Sequence, residues 1–241
     1  MKALQIILFT LITLTGCAKK ADPAVTKMNN DTTQTATPSS GLLTYLALGD
    51  SYTVGEAEPY NECFPAQLTA LLNTAKFGFA PPTIIATTGW TTANLIYAIA
   101  NSGITQKKYD FVTLLIGVND QFQGVPQSTY NTNFVQLLHT AINFVNGDST
   151  RVFVLSIPDY GVTPFAAGRD SIIGPEIDEF NAINKIESIQ AGVNYLDITA
   201  ISREAATDPT LIAPDGLHPS GKMYTLWVQQ LYPMIAARLK K

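Results

Sequence analysis

The chain has 241 residues, of which 46% are hydrophobic and 14% charged, and its formal net charge is −4 at pH 7. This length and composition are sufficient for one large core and fit a single α/β domain better than two. The negative net charge and the lack of any basic run in the sequence argue against a nucleic-acid partner.

Residue types that bind metals and phosphates are sparse in this sequence. It contains two histidines and two cysteines, without the Cys-x-x-Cys, His-Glu-x-x-His or clustered Cys/His spacing that zinc sites use. No glycine-rich phosphate-binding pattern of the GxxxxGK[S/T] or GxGxxG type occurs either. We therefore expect neither a metal ion nor another cofactor.

The N-terminal residues are typical of a targeting segment. Lys2 precedes an apolar run over residues 3–14, which is shorter than the ~20 residues that span a bilayer. The run ends in Leu14-Thr15-Gly16-Cys17, which resembles the cleavage site of a bacterial lipoprotein signal peptide. The resemblance implies removal of residues 1–16 and lipidation of Cys17, and several acyl chains together anchor a protein stably. An ordinary secretory signal with a chance cysteine is the alternative.

Residues 17–41 differ from the rest of the chain in composition. They are rich in Asn, Asp, Thr, Gln, Pro and Ser and contain few apolar residues, so they cannot bury enough surface to fold. We expect a disordered tether that holds a domain, residues 42–241, at a membrane surface in the bacterial cell envelope.

Within the domain, apolar runs alternate with segments of helical periodicity, as in a parallel sheet covered by helices on both faces. The runs predict five strands, over residues 44–48, 83–87, 111–116, 151–157 and 194–198. The periodic segments predict helices over residues 65–72, 92–100, 130–145 and 175–189. We expect a last helix to begin at Pro219, since proline is favoured at a first helical position, and to kink at Pro233.

Short polar or glycine-containing groups follow the predicted strands. Gly49-Asp50-Ser51 follows the first strand, Thr88-Gly89-Trp90-Thr91 the second and Gly117-Val118-Asn119-Asp120 the third, and Asp215-Gly216-Leu217-His218 comes after the fifth. Because the carboxyl ends of parallel strands share one edge, where open α/β sheets bind ligands, we expect these groups to converge.

The converging groups contain the parts that acyl transfer requires. Ser51 is the candidate nucleophile and His218 the candidate base. Asp215 lies three residues before His218, near enough to accept from the second ring nitrogen and fix its tautomer. Gly89 can present its backbone N–H closely to a ligand because it has no side chain, and Asn119 offers an amide donor.

With these residues the sequence resembles the SGNH (GDSL-type) hydrolase superfamily of esterases and lipases. Ser51 in Ala-Leu-Gly-Asp-Ser-Tyr-Thr matches the first block of that family, Gly89 the second, Asn119 the third and His218 in Asp-Gly-Leu-His-Pro the last. The resemblance implies a three-layer α/β/α, flavodoxin-like fold and metal-free hydrolysis of carboxylic esters. It also implies an oxyanion hole made by the N–H groups of Ser51 and Gly89 and the side chain of Asn119.

Some assignments have rivals. The Gly89 block lacks a close asparagine, and Gly103 is a second candidate, although it follows a helical run rather than a strand. Asp159, after the fourth strand, competes with Asp215 as the acid. A member of the α/β-hydrolases is disfavoured, because Thr53 stands where their Gly-x-Ser-x-Gly motif has its second glycine.

Several other polar residues are interpreted as structural. His139 lies in a helical pattern without an acid or nucleophile motif around it and is predicted to be a surface or boundary histidine. Asp50 and Asp120 are expected to cap or hydrogen-bond turns. Cys63 is expected to be a buried free thiol.

The segment 163–175, after the fourth strand, is interpreted as a loop over the carboxyl edge. Tyr160, Phe165 and Arg169 are therefore candidate substrate contacts. The predicted function is a serine esterase that acts through an acyl-Ser51 intermediate on a small acyl ester or an acylated glycan. The alternatives are an acyltransferase and a catalytically silent glycan-binding protein on the same fold.

Overall fold

The computed structural model describes residues 41–239. The predicted signal peptide, the predicted lipidation site Cys17 and all of the predicted tether except Gly41 lie outside these residues. Within residues 41–239, no helix combines the length and the apolar character needed to cross a membrane.

The centre of the fold is a five-stranded parallel sheet with the order β2-β1-β3-β4-β5. Its strands are β1 (Tyr45–Gly49), β2 (Thr83–Ala86), β3 (Phe111–Leu115), β4 (Val152–Leu155) and β5 (Asn194–Leu196). Every residue of β1 and of β3 is buried, as expected for central strands that helices cover on both faces. The predicted parallel α/β sheet is confirmed.

Helices and short 3-10 turns join the strands across the described residues. The α-helices are α1 (Ser51–Val54), α2 (Phe64–Thr74), α3 (Thr92–Asn101), α4 (Val118–Phe122), α5 (Gln127–Phe144), α6 (Asp170–Gln190), α7 (Thr199–Arg203) and α8 (Gly221–Leu239). The 3-10 turns are Tyr60–Glu62, Ser149–Arg151, Tyr160–Val162, Pro164–Ala166, Glu204–Ala206 and Pro209–Leu211.

The structure corrects two predicted helix boundaries. Helix α6 begins at Asp170, so the segment 163–175 is a 3-10 turn followed by helix rather than a loop, and Pro175 lies inside the helix. Helix α8 begins after Pro219, because Pro219 pairs with Ile212 in an isolated antiparallel bridge. The same helix continues to Leu239 and does not end at Pro233, where a kink was expected.

The start of α8 is fixed against α2. The side-chain amide of Gln67 on α2 donates to the Gly221 carbonyl (2.9 Å), and its oxygen accepts from the Thr225 hydroxyl (2.7 Å). Fully buried Trp227 packs against Phe64 with ring centroids 6.3 Å apart. The segment that precedes α8 is thereby held over the carboxyl edge of the sheet.

Candidate active site

Ser51 lies at the carboxyl edge of the sheet, where β1 turns directly into α1. The Asp50 side chain caps this helix by accepting from the Tyr52 N–H (3.0 Å). A Cβ built on Gly49 would lie 2.1 Å from the Thr53 hydroxyl oxygen and 2.4 Å from the Leu115 carbonyl oxygen, so only glycine fits there. The sharp strand-to-helix turn leaves Ser51 as the first residue of its helix.

A continuous chain of hydrogen bonds joins Ser51, His218 and Asp215. Ser51 Oγ lies 2.9 Å from His218 Nε2, and His218 Nδ1 lies 2.6 Å from Asp215 Oδ2. The second oxygen of Asp215 accepts from the backbone N–H groups of Leu217 and His218, each at 3.0 Å. This is the spatial relation of nucleophile, base and orienting acid that acyl transfer uses.

The environment of Asp215 favours its ionised form. Partial burial raises the pKa of this carboxyl, but hydrogen bonds from the His218 ring and from the Leu217 and His218 amides outweigh burial, so the net pKa is below the ordinary value. An ionised Asp215 fixes the tautomer that leaves His218 Nε2 free to accept the Ser51 proton, and it stabilises the imidazolium that results.

Gly89 and Asn119 flank Ser51 from the neighbouring strands. Gly89 has φ +84° in a turn over residues 87–90 that follows β2, and its N–H has no acceptor within residues 41–239. Asn119 lies in α4, after β3, and one N–H of its amide donates to the Trp90 carbonyl (3.0 Å), which leaves its second N–H available. Ser51 begins a helix, so its N–H is among the donors that helix geometry leaves unpaired.

These residues surround one cavity of about 130 Å³. It is lined by Ser51, Tyr52, Thr88, Gly89, Val118, Asn119, Phe122, Tyr160, Phe165, Leu217 and His218. None of these side chains carries a formal charge except His218 when it is protonated. The structure thus brings Ser51, His218, Gly89 and Asn119 into one space suited to an uncharged group.

One side of the cavity is formed by three aromatic rings, those of Phe122, Tyr160 and Phe165, which we call the aromatic wall. The centroids of Phe122 and Phe165 lie 6.1 Å apart, and Tyr160 lies 6.1 Å from the first and 6.3 Å from the second. Phe122 is 54% exposed and Phe165 is 45% exposed. Large apolar side chains that remain exposed beside a cavity are typical of a binding surface.

Of the three candidate substrate contacts, Tyr160 and Phe165 line the cavity, but Arg169 does not. The Arg169 Nε donates to the Ala166 carbonyl (3.0 Å), because its segment folds into the turn before α6 instead of extending over the cavity.

Asp159, the alternative acid, and Gly103, the alternative oxyanion glycine, lie in other environments. Asp159 accepts from the Arg203 Nε (2.8 Å) and from the Gly161 N–H (2.8 Å), so this carboxylate caps the turn at Tyr160 and forms an ion pair away from His218. Gly103 follows α3 and is not among the residues that line the cavity.

The other polar residues adopt the structural roles predicted for them. Buried Asp120 accepts from the N–H and the hydroxyl of Thr92 (2.8 and 2.6 Å), which connects α4 to the start of α3. His139 is exposed on α5. Cys63 is a buried free thiol, and burial raises its pKa. Within residues 41–239, no cluster of three His, Cys, Asp or Glu side chains is placed to hold a metal ion.

Phe122 is the main cavity residue that the sequence reasoning missed. It lies three residues after Asn119 on α4, a spacing that puts both side chains on the same face of a helix. That spacing was the available signal, but α4 is too short to show helical periodicity.

The family follows from comparison with known proteins. The model of the GDSL-like Lipase/Acylhydrolase family matches residues 47–226. The chain belongs to this family. It is accordingly a carboxylic ester hydrolase, and the matched region contains Ser51, Gly89, Asn119, Asp215 and His218. Among curated proteins, no relative matches the sequence significantly.

Solved structures show the same fold at low sequence identity. TesA is 16% identical with a TM-score of 0.65, over 81% of this chain and 99% of that chain. An acetylxylan esterase from Geobacillus stearothermophilus is 18% identical with a TM-score of 0.61, over 83% and 94% of the two chains. The psychrotrophic esterase EstA from Pseudoalteromonas sp. is 19% identical with a TM-score of 0.61, over 82% and 99%. The α/β/α SGNH-type fold is therefore confirmed.

Proposed function

We propose that this protein is a serine esterase in which Ser51, His218 and Asp215 act as a catalytic triad. The observation that carries the proposal is the unbroken hydrogen-bond chain from Ser51 Oγ through both nitrogens of His218 to Asp215. In the first step, Ser51 Oγ bonds to the ester carbonyl carbon while its proton moves to His218 Nε2. The tetrahedral intermediate then collapses, His218 gives the proton to the departing alcohol oxygen, and an acyl-Ser51 ester remains.

Water completes the cycle by the same route. His218 Nε2 takes a proton from water, the resulting hydroxide oxygen bonds to the acyl carbon, and the Ser51 oxygen leaves with that proton. In both halves a negative charge develops on the former carbonyl oxygen. We assign its stabilisation to the N–H groups of Ser51 and Gly89 and to the free N–H of the Asn119 side chain, each such donor being worth about 3 kcal/mol of barrier.

The volume and the uncharged lining of the cavity fit a short, uncharged acyl group. An apolar cavity of about 150 Å³ accommodates one benzene molecule, so the 130 Å³ here suits an acyl group of a few carbons. A longer chain has to leave the cavity along the aromatic wall. We propose that Tyr160 and Phe165, with Phe122, contact the apolar part of the substrate.

The alcohol part of the substrate is proposed from more general considerations. One structural neighbour is an acetylxylan esterase, and an envelope location gives access to acylated glycans. A glycan that carries small acyl esters is therefore the preferred natural substrate class. An acyltransferase would use the same acyl-Ser51 intermediate but pass the acyl group to an acceptor alcohol.

The decisive experiment is hydrolysis of p-nitrophenyl acetate, butyrate and octanoate by the purified protein, alongside Ser51→Ala. We expect turnover of the two short esters that is absent in Ser51→Ala, and slower turnover of octanoate. A folded wild-type protein that is no faster than Ser51→Ala contradicts the esterase proposal. Release of nitrophenol that depends on an added acceptor alcohol, with the acyl group recovered on that alcohol, indicates a transferase instead.

We also propose that the mature chain is a membrane-anchored lipoprotein, lipidated at Cys17 after removal of residues 1–16. The sequence Leu14-Thr15-Gly16-Cys17 and the polar composition of the segment after it support this proposal. Expressed in a bacterium fed radiolabelled palmitate, the wild-type chain should incorporate label and sediment with membranes. Cys17→Ala should do neither, and equal labelling of the two chains contradicts the proposal.

A further inference from the structure

The turn over residues 87–90, which carries Gly89, is packed at one end only, where Trp90 lies against the core. It follows β2, an edge strand of the sheet whose residues are only half-buried. Thr88 and Gly89 are exposed, and a Cβ built on Gly89 would meet no atom within 4 Å. An oxyanion donor on such a turn needs other restraints, because its contribution to the rate depends on being fixed before the reaction.

Besides the Asn119 amide, which donates to the Trp90 carbonyl (3.0 Å), side chains from two other segments restrain the exposed part of the turn. The Gln123 side-chain Nε2 donates to the Gly89 carbonyl (3.1 Å). The Thr88 hydroxyl donates to the Glu56 carboxylate. These two hydrogen bonds restrain Gly89 and Thr88, the two residues joined by the peptide bond that contains the Gly89 N–H.

Glu56 and Gln123, which form these two hydrogen bonds, lie just past the ends of the helices that contain Ser51 and Asn119. Helix α1 spans Ser51–Val54 and is capped by Gly55 in the left-handed region (φ +82°), and the Glu56 N–H donates to the Ser51 carbonyl (3.1 Å). Helix α4 contains Asn119 and is capped by Gln123, whose N–H donates to the Asn119 carbonyl (3.0 Å). Each helix therefore presents one site residue and one residue that holds the Gly89 turn.

We propose that Gln123 and Glu56 are positioning residues that keep the Gly89 N–H aligned with Ser51 and Asn119 in the oxyanion hole. This inference rests on the proposed esterase function. Neither residue lines the cavity, so both act through Gly89 rather than on the substrate. Their loss should slow the chemical step and leave ground-state binding nearly unchanged, since the oxyanion exists only in the transition state and the tetrahedral intermediate.

The first test replaces Gln123 with methionine, which is similar in size, is uncharged and cannot donate a hydrogen bond. With p-nitrophenyl acetate we expect kcat to fall about ten-fold and KM to stay within about two-fold. Gln190→Met is the matched control, since Gln190 is an exposed glutamine at the end of α6, and it should retain wild-type kcat. For Glu56, the variant Glu56→Gln keeps an acceptor for Thr88 and should retain most activity, whereas Glu56→Ala should lose several-fold in kcat.

A second readout separates positioning from general destabilisation. Diethyl p-nitrophenyl phosphate reacts with an activated serine, and its phosphoryl oxygen occupies the oxyanion position. The rate of Ser51 phosphorylation should fall in Gln123→Met and Glu56→Ala in proportion to kcat, with no change in thermal midpoint. Wild-type kcat in Gln123→Met, a change in KM alone, or a loss of activity that follows the thermal midpoint overturns the inference. A wild-type protein no more active than Ser51→Ala overturns the esterase function instead.

Discussion

Asp50, next to the candidate nucleophile, should make the stability of the fold fall as pH rises. Its Oδ1 accepts from the Tyr52 N–H (3.0 Å), but its buried Oδ2 has no hydrogen-bond partner within the described residues. Burial raises the pKa of this carboxyl from its ordinary value of 3.8 to about 8, opposed by the Tyr52 N–H and assisted by the charge of Asp120. The folded protein therefore keeps Asp50 protonated over a pH range in which the unfolded chain ionises it.

The sign and size of the effect follow from that difference. The stabilisation is fully present below a pH of about 4, the unfolded pKa, and is lost progressively as pH rises towards about 8, the folded pKa. Each pH unit between these values lowers the free energy of unfolding by about 1.4 kcal/mol, so the loss between pH 4 and pH 7 is about 4 kcal/mol. Asp50→Asn does not titrate and keeps an oxygen that can accept from Tyr52, so it removes this dependence.

The assay is urea unfolding of the wild type and Asp50→Asn at unit pH intervals from 4 to 8. Other titrating groups contribute equally to both proteins, so the difference in free energy of unfolding isolates Asp50. We expect the free energy of unfolding of Asp50→Asn, relative to that of the wild type, to rise steadily with pH by a few kcal/mol in total. A difference that stays constant across the range would falsify this account of the Asp50 carboxyl.

Three further predictions concern the site and the core. Asp215→Asn removes the charge that fixes the His218 tautomer, so kcat on p-nitrophenyl acetate should fall about 10⁴-fold; a loss below ten-fold contradicts the triad. Phe122→Ala and Phe165→Ala should each lower kcat/KM several-fold on p-nitrophenyl octanoate but less than about two-fold on acetate, since each buried methylene is worth about 0.8 kcal/mol; equal losses on both esters contradict the aromatic wall. Cys63→Ala empties the space of a fully buried thiol, so the free energy of unfolding in urea should fall by about 1–3 kcal/mol with kcat unchanged; a matching loss of kcat indicates a role in the site.

The parts of the fold and site that the sequence predicted share one property: their signal is local. Each strand is a short apolar run, and Ser51 and Asn119 lie within a few residues of a strand's end. Asp215 and His218 are three residues apart, so one loop can place both. In such cases a short stretch of sequence contains nearly all the information about the geometry.

The residues that hold the Gly89 turn were missed because their contacts join distant segments of the chain. Helices α1 and α4 are too short for a periodic pattern, so the residues beyond their ends had no visible role. Gln123 lies far from Gly89 in the chain, and nothing in either segment alone indicates their hydrogen bond. Arg169 was expected over the cavity because its glycine- and alanine-rich surroundings resemble a loop, but hydrogen bonds within the segment fold it into a turn.

The strand order places the two proposed oxyanion donors that flank Ser51 in different surroundings. The chain passes from β1 to β2 on one side of β1 and then to β3 on its other side. Ser51, after β1, is therefore flanked by Gly89, which follows β2, and by Asn119, which follows β3. This is the switch point of the strand order, where open α/β sheets bind ligands. On the β3 side, Asn119 follows a wholly buried strand, and its amide donates to the Trp90 carbonyl (3.0 Å). On the β2 side the sheet ends, so Gly89 has no neighbouring strand beyond it. The bond that Gln123 donates to the Gly89 carbonyl and the bond that Glu56 accepts from the Thr88 hydroxyl supply restraint at this edge.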